Sequence, residues 1–306
     1  MSVTTPAPAA SPVEVPPSQP EPPASGRVRS EQRRTTRAKW AMYVVLALGM
    51  ILVAGPFLWM VLGSLKTQGE LLQVPPTWFP EAPSLDNYAR LFDRLNFPRF
   101  FFNSTVVAVT ITAANLVFCS MIGYALAKLN FAGRNKLFLL VMATLMVPQG
   151  VILVPLFILM TNLGLINTHA GLILPFAAGA FGVFLMRQFM VGIPDELLEA
   201  ARVDGATEWY LFWRIVMPLS GPALATLGIL TFMSSWNMFT WPLVAATSES
   251  MYTLPVALAT FSRGQFSSDY GLLMAGSLVI VAPILIVFLV LQRHFVQGIA
   301  TTGLKG

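Results

Sequence analysis

The sequence predicts an all-α integral membrane protein with six transmembrane helices and both termini in the cytoplasm. Composition supports this class, because 55% of the 306 residues are hydrophobic and only 11% are charged. With a mean hydropathy of +0.67, the chain is too apolar for a water-soluble core and must use lipid as part of its solvent. A globular cytosolic enzyme is therefore excluded. The uncharged apolar runs predict the number of helices, and the distribution of Lys and Arg predicts their orientation.

Six apolar runs predict the membrane spans. A hydrocarbon core about 30 Å thick requires roughly 20 helical residues. Six runs near or above this length contain no Asp, Glu, Lys, Arg or His, and we predict one helix for each. They cover residues 40–63, 104–127, 137–160, 171–186, 221–244 and 271–291. The prolines inside them are expected to kink helices in lipid without preventing the crossing.

Residues 1–39 are predicted to form a cytoplasmic tail. Residues 1–26 contain eight prolines and no Lys or Arg, so they cannot bury enough apolar surface to fold and are predicted to be disordered. A cluster of Lys and Arg follows at 27–39. The first apolar run has 24 residues, longer than the roughly 7 to 15 of a signal-peptide core. We predict a retained first helix, although an uncleaved signal anchor would have the same pattern.

The distribution of Lys and Arg predicts the orientation. With the N-terminus inside, the cytoplasmic segments hold six of these residues in the tail, three at 128–136, three at 187–220 and two at the C-terminus. Fourteen of the 19 then lie inside and five outside. The basic pI of about 9.6 follows from this topology and does not indicate a nucleic-acid partner.

The cytoplasmic segment 187–220 carries a specific spacing. The order is Glu-Ala-Ala, three residues, Gly, nine residues, Ile, and Pro three positions later. The residues concerned, with the acid before the glycine, are Glu199, Ala200, Ala201, Asp204, Gly205, Ile215 and Pro218. This spacing resembles the EAA loop of ABC-importer membrane subunits. The resemblance implies a type I ABC importer permease fold, in which a separate ATPase subunit binds this loop. It also implies that a basic residue of the ATPase pairs with Glu199.

The residues around this spacing predict two short helices joined by a turn. Asp195 and Glu196 follow Pro194, and a helix start tolerates the missing N–H of proline and favours acids. Gly205 permits the turn, and Thr207 can cap the second helix.

One face of the first predicted helix suits a partner. Leu197, Ala200 and Ala201 recur at helical spacing, and the two alanines would let a partner backbone approach closely. The alternative is an ordinary amphipathic helix that lies on the membrane surface.

Residues 40–306 resemble the maltose-type carbohydrate permeases, specifically the smaller member of each permease pair. The stretches that carry the resemblance include LDNY at 85–88, LGLINT at 163–168, SWN at 235–237, YTLP at 252–255 and MAGS at 274–277.

The resemblance implies a set of partners in a bacterial or archaeal plasma membrane. These are a second homologous permease that completes a heterodimer, two ATPase subunits, and an extracytoplasmic solute-binding protein that delivers a disaccharide or oligosaccharide. The external segment 245–270 is expected to reach toward the binding protein, with Tyr252, Phe261 and Phe266 as candidate anchors.

The chain is not predicted to hydrolyse ATP or to bind a cofactor. A phosphate-binding loop needs a Gly-Lys pair, and none of the five lysines follows a glycine. ATP and Mg²⁺ are therefore expected on the partner ATPase. The single cysteine, Cys119, has no zinc-type Cys/His spacing around it, which favours a buried structural thiol.

Other transport functions stay open at this stage. A secondary transporter usually places ionisable residues at the bilayer midplane, and the six runs contain none. A channel would need a charged ring or a carbonyl filter, and neither pattern is present. A permease for a non-sugar solute such as glycerol phosphate remains an alternative.

The fifth run contains the candidate sugar contacts. An aromatic ring covers the C–H face of a pyranose, while amides and hydroxyls bond its hydroxyl groups. The candidates on one predicted helix are Ser234, Trp236, Asn237 and Thr240, and Gln149 beside Pro148 is a further one. The alternative is that these polar side chains only hold helices together.

Overall fold

The computed structural model describes the backbone of residues 25–94, 96–263 and 269–303, and the side chains of 39–40, 42–93, 96–262 and 269–290. Every regular element in these ranges is helical, as predicted. Contacts divide the chain into two units between Pro56 and Phe57, so the first unit contains most of α1 and the second contains all later helices. Residues 1–24, which form most of the predicted disordered tail, and Phe266 lie outside the described residues.

The helices follow one another with short connections. The α-helices in chain order are α1 (Ser25–Ser64), α2 (Gln68–Leu71), α3 (Asp86–Arg94), α4 (Phe97–Lys128), α5 (Arg134–Leu145), α6 (Gln149–Asn162), α7 (His169–Ile173), α8 (Ala180–Val191), α9 (Asp195–Val203), α10 (Glu208–Tyr210), α11 (Met217–Leu219), α12 (Gly221–Trp236), α13 (Thr240–Ala245), α14 (Leu254–Arg263) and α15 (Tyr270–Gly303). Two 3₁₀ turns, Leu174–Phe176 and Glu249–Met251, and a π-helix, Leu211–Val216, complete the set. The basic segment 27–39, predicted as part of the tail, belongs to α1.

Three unbroken helices are long and apolar enough to cross a membrane, and three further candidate spans are bent. Among the described residues the unbroken stretches are Met42–Ser64, Phe97–Lys128 and Tyr270–Val290. The bent pairs are α5 with α6 at 102°, the segment His169–Phe176 with α8 at 43°, and Glu208–Leu219 with α12 at 79°. Counting each bent pair as one crossing gives the six predicted spans. The bends in these three spans are sharper than the proline kinks expected from the sequence, so each span consists of two helices.

Proline and glycine account for two of the breaks. Pro148 is the N-cap of α6, with an extended ψ of 133°. Helix α5 cannot continue through it, because proline has no N–H to donate, its ring clashes with the preceding turn, and it disfavours helix in the residue before it. Gly179 takes a ψ of 136° before α8. Hydropathy could not locate these breaks, because the residues on both sides of them are equally apolar.

The fifth predicted helix is shorter than expected. Helix α12 ends at Trp236, and Asn237 follows as its C-cap with its side-chain amide donating to the carbonyl of Met233 at 2.9 Å. Thr240 begins a separate helix, α13. The predicted arrangement of Trp236 and Thr240 one turn apart on one helix was therefore wrong. Asn readily bonds nearby backbone groups, and this competes with continuation of a helix.

The two ends of the helical bundle collect the segments predicted for each side of the membrane. At one end Arg90 pairs with Asp269 at 2.6 Å, and the backbone N–H of Asn167 donates to the carbonyl of Ala245 at 2.8 Å. At the other end Lys128 contacts Asp195, also at 2.6 Å. Segments predicted to be external meet one another, and so do the predicted cytoplasmic ones. The observed fold therefore agrees with the predicted division of these segments between two sides of the membrane.

A close contact between α4 and α8 depends on Gly123. A Cβ atom at this position would lie 2.8 Å from the Cβ of Met186 and 3.0 Å from the backbone nitrogen of Arg187. We expect Gly123→Val to force the two helices apart, at a cost of about 1–3 kcal/mol, and to lower the melting temperature of the purified protein. The matched control is Gly150→Val, since nothing lies within 4 Å of a Cβ there. Equal melting temperatures for the two variants would contradict the packing role.

Candidate functional site

The segment 193–220 folds as two helical stretches joined by a tight turn. Helix α9 begins after Pro194, with Asp195 and Glu196 in its first turn, as predicted. Gly205 has a φ of +85° and makes the turn that ends the helix. Thr207 accepts a hydrogen bond from the backbone N–H of Tyr210 at 3.3 Å and so caps α10, also as predicted. We call residues 193–220 the coupling segment.

One face of α9 is fixed in the protein core. Leu198 is 1% exposed, and Ala201 packs against the same hydrophobic cluster, which includes Met186 and Met190 of α8. Ala206, directly after the turn, packs there too. Ala201 is thus partly buried against the core of this chain, whereas Ala200 is exposed.

The opposite face of α9 is open. Of the seven residues predicted to contact an ATPase, five are exposed and two, Ala201 and Ile215, are partly buried against the core. The exposed five are Glu199, Ala200, Asp204, Gly205 and Pro218. Large apolar side chains surround them, since Leu197 is 50% exposed and Val203 is 88% exposed. Acidic and apolar groups thus share one open surface on the segment predicted to be cytoplasmic.

The second half of the coupling segment leads back to the membrane. A π-helix, Leu211–Val216, buries Leu211, Phe212 and Val216. The chain then bends by 79° into α12. These buried side chains anchor the half of the segment that does not carry α9.

A lysine that sequence reasoning missed holds the start of α9. Lys128, the last residue of α4, donates to the carbonyl of Ile193 and to the carboxylate of Asp195, both at 2.6 Å. Its side chain is 3% exposed, whereas that of Asp195 is 72% exposed. The hydrogen bond from Lys128 lowers the pKa of Asp195 below its usual value. The carboxylate is therefore charged throughout the physiological pH range, and the contact persists there.

A second missed contact holds the start of α10. Arg202 donates to one carboxylate oxygen of Glu208 at 2.9 Å, and the hydroxyl of Tyr124 donates to the other at 2.5 Å. The bond from Arg202 is the main cause of a lowered pKa at Glu208, and the bond from Tyr124 adds to it. The pair also raises the pKa of Arg202. Arg202 and Glu208 could have been paired from their positions on either side of the glycine turn, but the sequence carries no signal for Tyr124.

The candidate sugar contacts are not all arranged as predicted. Trp236 is only 2% exposed, its ring nitrogen donates to the carbonyl of Ile280 at 2.9 Å, and its ring stacks on Phe232 at 5.7 Å. This ring offers no open face for a sugar. The other candidates are exposed and occupy three different positions, at the end of α12, the start of α13 and the start of α6. They are Ser234, Asn237, Thr240 and Gln149.

Cys119 is buried, and its thiol donates to the side-chain oxygen of Asn115 at 3.3 Å. The prediction of a buried structural thiol is confirmed. Within the described ranges, no three His, Cys, Asp or Glu side chains are grouped so that they could hold a metal ion.

Together these features define a class: an all-helical, multi-span membrane protein with an exposed helical segment fixed to one end of its bundle. The family model for the binding-protein-dependent transport system inner membrane component matches residues 119–301. The chain belongs to this family and is a multi-pass protein of the inner, or plasma, membrane.

Relatives match almost the whole chain. The arabinooligosaccharides transport system permease protein AraQ of Halalkalibacterium halodurans is 39% identical over 270 residues, which cover 87% of this chain and 96% of AraQ. The lactose transport system permease protein LacG of Rhizobium radiobacter is 35% identical over 256 residues, which cover 84% of this chain and 93% of LacG. The resemblance to permeases seen in the sequence is therefore confirmed.

A solved structure has the same fold. It is the crystal structure of a bacterial ABC transporter involved in the import of the acidic polysaccharide alginate, with a TM-score of 0.77 and 25% identity. The match covers 90% of this chain and 100% of the solved chain. The fold is that of an ABC importer permease.

Proposed function

We propose that this chain is a permease subunit of an ATP-driven importer that takes up a disaccharide or oligosaccharide. The names of its relatives support a sugar, since AraQ and LacG serve arabinooligosaccharide and lactose transport and both match more than four fifths of the chain. The exposed polar candidates Ser234, Asn237, Thr240 and Gln149 suit the hydroxyl groups of such a solute.

The observation that carries the coupling role is the open face of α9. Exposed apolar side chains beside acids, on a segment whose other face is fixed in the core, mark a surface that a partner covers. We assign that partner as an ATPase subunit, with Glu199 and Asp204 facing it and Gly205 shaping the turn. ATP and Mg²⁺ belong to the ATPase, and this chain binds no cofactor.

The proposal includes an assembly of several subunits. A second homologous permease completes a heterodimer, two ATPase subunits bind below it, and a solute-binding protein delivers the sugar from outside. In this division residues 40–306 form the permease domain and 1–39 a cytoplasmic tail. The absence of Asp, Glu, Lys, Arg and His from the six apolar runs argues against a secondary transporter driven by protons or sodium.

Uptake measurements test the substrate. We expect deletion of this chain to abolish ATP-dependent uptake of radiolabelled arabinotriose or lactose by the source cells, and restoration of the chain to recover it. The control solute is sn-glycerol 3-phosphate, whose uptake should not change. Loss of glycerol phosphate uptake with sugar uptake intact would support the alternative substrate. Sugar uptake that resists ATP depletion but stops with a proton uncoupler would indicate a secondary transporter.

A further inference from the structure

Helix α4 differs from the other long helices in being both unbroken and packed. It runs for 32 residues, and 39% of its most apolar stretch is buried, compared with none for α1 and 11% for α15. The described spans formed by bent pairs are interrupted at 102°, 43° and 79°. A break lets a helix absorb a displacement locally, whereas a continuous helix with its full set of backbone hydrogen bonds moves as one body.

The outer end of α4 is tied to the external segment 250–254. Asn103 is fully buried, and its side-chain nitrogen donates to the carbonyls of Ser250 and Tyr252, both at 2.9 Å. Its side-chain oxygen lies 3.0 Å from the Nε2 of His169. The next residue, Ser104, accepts a hydrogen bond from the backbone N–H of Leu254 at 2.8 Å. Two adjacent buried side chains therefore fix the external backbone to this helix.

The inner end of α4 is tied to the coupling segment at two places. Lys128 holds the start of α9 through Ile193 and Asp195, and Tyr124 holds the start of α10 through Glu208. Tyr124 is 5% exposed and Lys128 is 3% exposed. These contacts span 65 and 84 positions of sequence, so they join the coupling segment to a helix that is remote from it in the chain.

We propose that α4 transmits movement of the coupling segment to the external segment 250–254. In this role Asn103, Ser104, Tyr124 and Lys128 are positioning residues. At 1.5 Å per residue the inner and outer contacts lie roughly 30 Å apart along the helix. The inference rests on the proposed function, because an ATPase that binds α9 supplies the movement, and the external segment lies on the side where the binding protein arrives.

Hydrogen exchange in the assembled transporter tests this transmission without requiring knowledge of the sugar. The complex of this chain with its own permease and ATPase partners is purified in lipid nanodiscs. Exchange is measured for peptides covering 195–205 and 249–254, with and without AMP-PNP and Mg²⁺. In the wild type we expect nucleotide to change exchange in both peptides. In the double variant Tyr124→Phe, Lys128→Met we expect the change at 195–205 to persist and the change at 249–254 to be lost.

A second variant and a matched control separate transmission from stability. The double variant Asn103→Leu, Ser104→Ala removes both buried side chains that hold segment 250–254 and should also abolish the external response. Thr112→Ala removes a hydroxyl of α4 whose one hydrogen bond among the described residues is within the helix, to the carbonyl of Ala108 at 2.7 Å, and should leave both responses intact. Combining inner and outer variants should lower the melting temperature additively, because the sites are far apart. The combined variant should lose no more of the exchange response at 249–254 than either variant alone, because each one interrupts the same path along α4.

Three outcomes decide the matter. A wild-type external response in the Tyr124→Phe, Lys128→Met variant overturns the role of α4. A wild-type complex that responds at 195–205 but not at 249–254 overturns it as well. A wild-type complex with no nucleotide response at 195–205 contradicts instead the proposed binding of an ATPase to α9, on which the transmission rests.

Discussion

The variant Gly205→Val is expected to lose most of the stimulation of ATP hydrolysis by a loaded binding protein, and most of the transport. Gly205 has a φ of +85°, and nothing lies within 4 Å of a Cβ placed there. The cost is therefore backbone strain and not a clash. A β-branched residue in this left-handed region costs about 1–2 kcal/mol, which corresponds to a factor of about 5–30 in the population of the native turn. The measurement is ATPase stimulation in reconstituted vesicles.

Gly133 offers a matched control for this effect. It has a φ of +87° and equally open surroundings, but it precedes α5 in the other predicted cytoplasmic loop. Gly133→Val imposes the same kind of strain outside the coupling segment and should leave stimulation close to that of the wild type. Gly205→Asn should be milder than Gly205→Val, since Asn tolerates the left-handed region. Unchanged stimulation in a correctly assembled Gly205→Val complex would remove Gly205 from the coupling role.

The variant Asn237→Ala is expected to reduce sugar uptake about 5- to 150-fold if the amide bonds the sugar in the rate-determining state. Loss of such a partner costs about 1–3 kcal/mol. The structure changes the basis of this prediction, because Asn237 follows the end of α12 and does not lie within it. One amide N–H donates to Met233. The other N–H and the carbonyl oxygen make no hydrogen bond within the part of the chain that the structure describes, so both are available to a solute.

Uptake and melting temperature must be measured together for this variant. If Asn237 serves only as a helix cap, its replacement by alanine should lower the melting temperature of the complex and reduce uptake in proportion. Asn237→Ser separates the two roles, because a serine hydroxyl can donate to the carbonyl four residues earlier, that of Met233, but has no amide. We expect Asn237→Ser to keep most of the melting temperature and to lose uptake as Asn237→Ala does. Normal uptake in either variant would argue against a sugar contact.

The coupling segment shows which parts of a site can be read from sequence. The acids after Pro194, the turn at Gly205 and the cap at Thr207 were all predicted, because each depends on the backbone preference of one residue and its nearest neighbours. The spacing did not show that the two alanines differ in burial. Ala201 is partly buried beside Leu198, in a cluster that includes residues of α8 and the π-helix, and its burial depends on where those other elements lie.

The candidate sugar path was predicted less well for the same kind of reason. The polar side chains chosen by residue type are exposed in the protein. The prediction also placed Asn237 inside a continuous helix, whereas α12 ends at Trp236. Trp236 has the chemistry of a sugar platform, yet its ring is covered by neighbours on other parts of the chain, Phe101 and Ile280. Whether an aromatic residue is open or buried depends on what packs against it, and side-chain chemistry does not specify this.

By itself the sequence determined the membrane class, the six apolar runs and the position of the helix–turn–helix segment, and it predicted the orientation. Hydropathy, Lys and Arg placement and glycine or proline preferences act within a window of one helix or one turn, so they can be read along the chain. Only the tertiary structure decided where the bent spans break and which side chains of α4 hold the two ends of the protein. The contacts of Asn103, Tyr124 and Lys128 join segments 65 to 149 positions apart, and such pairings arise from the packing of whole helices, which no local pattern encodes.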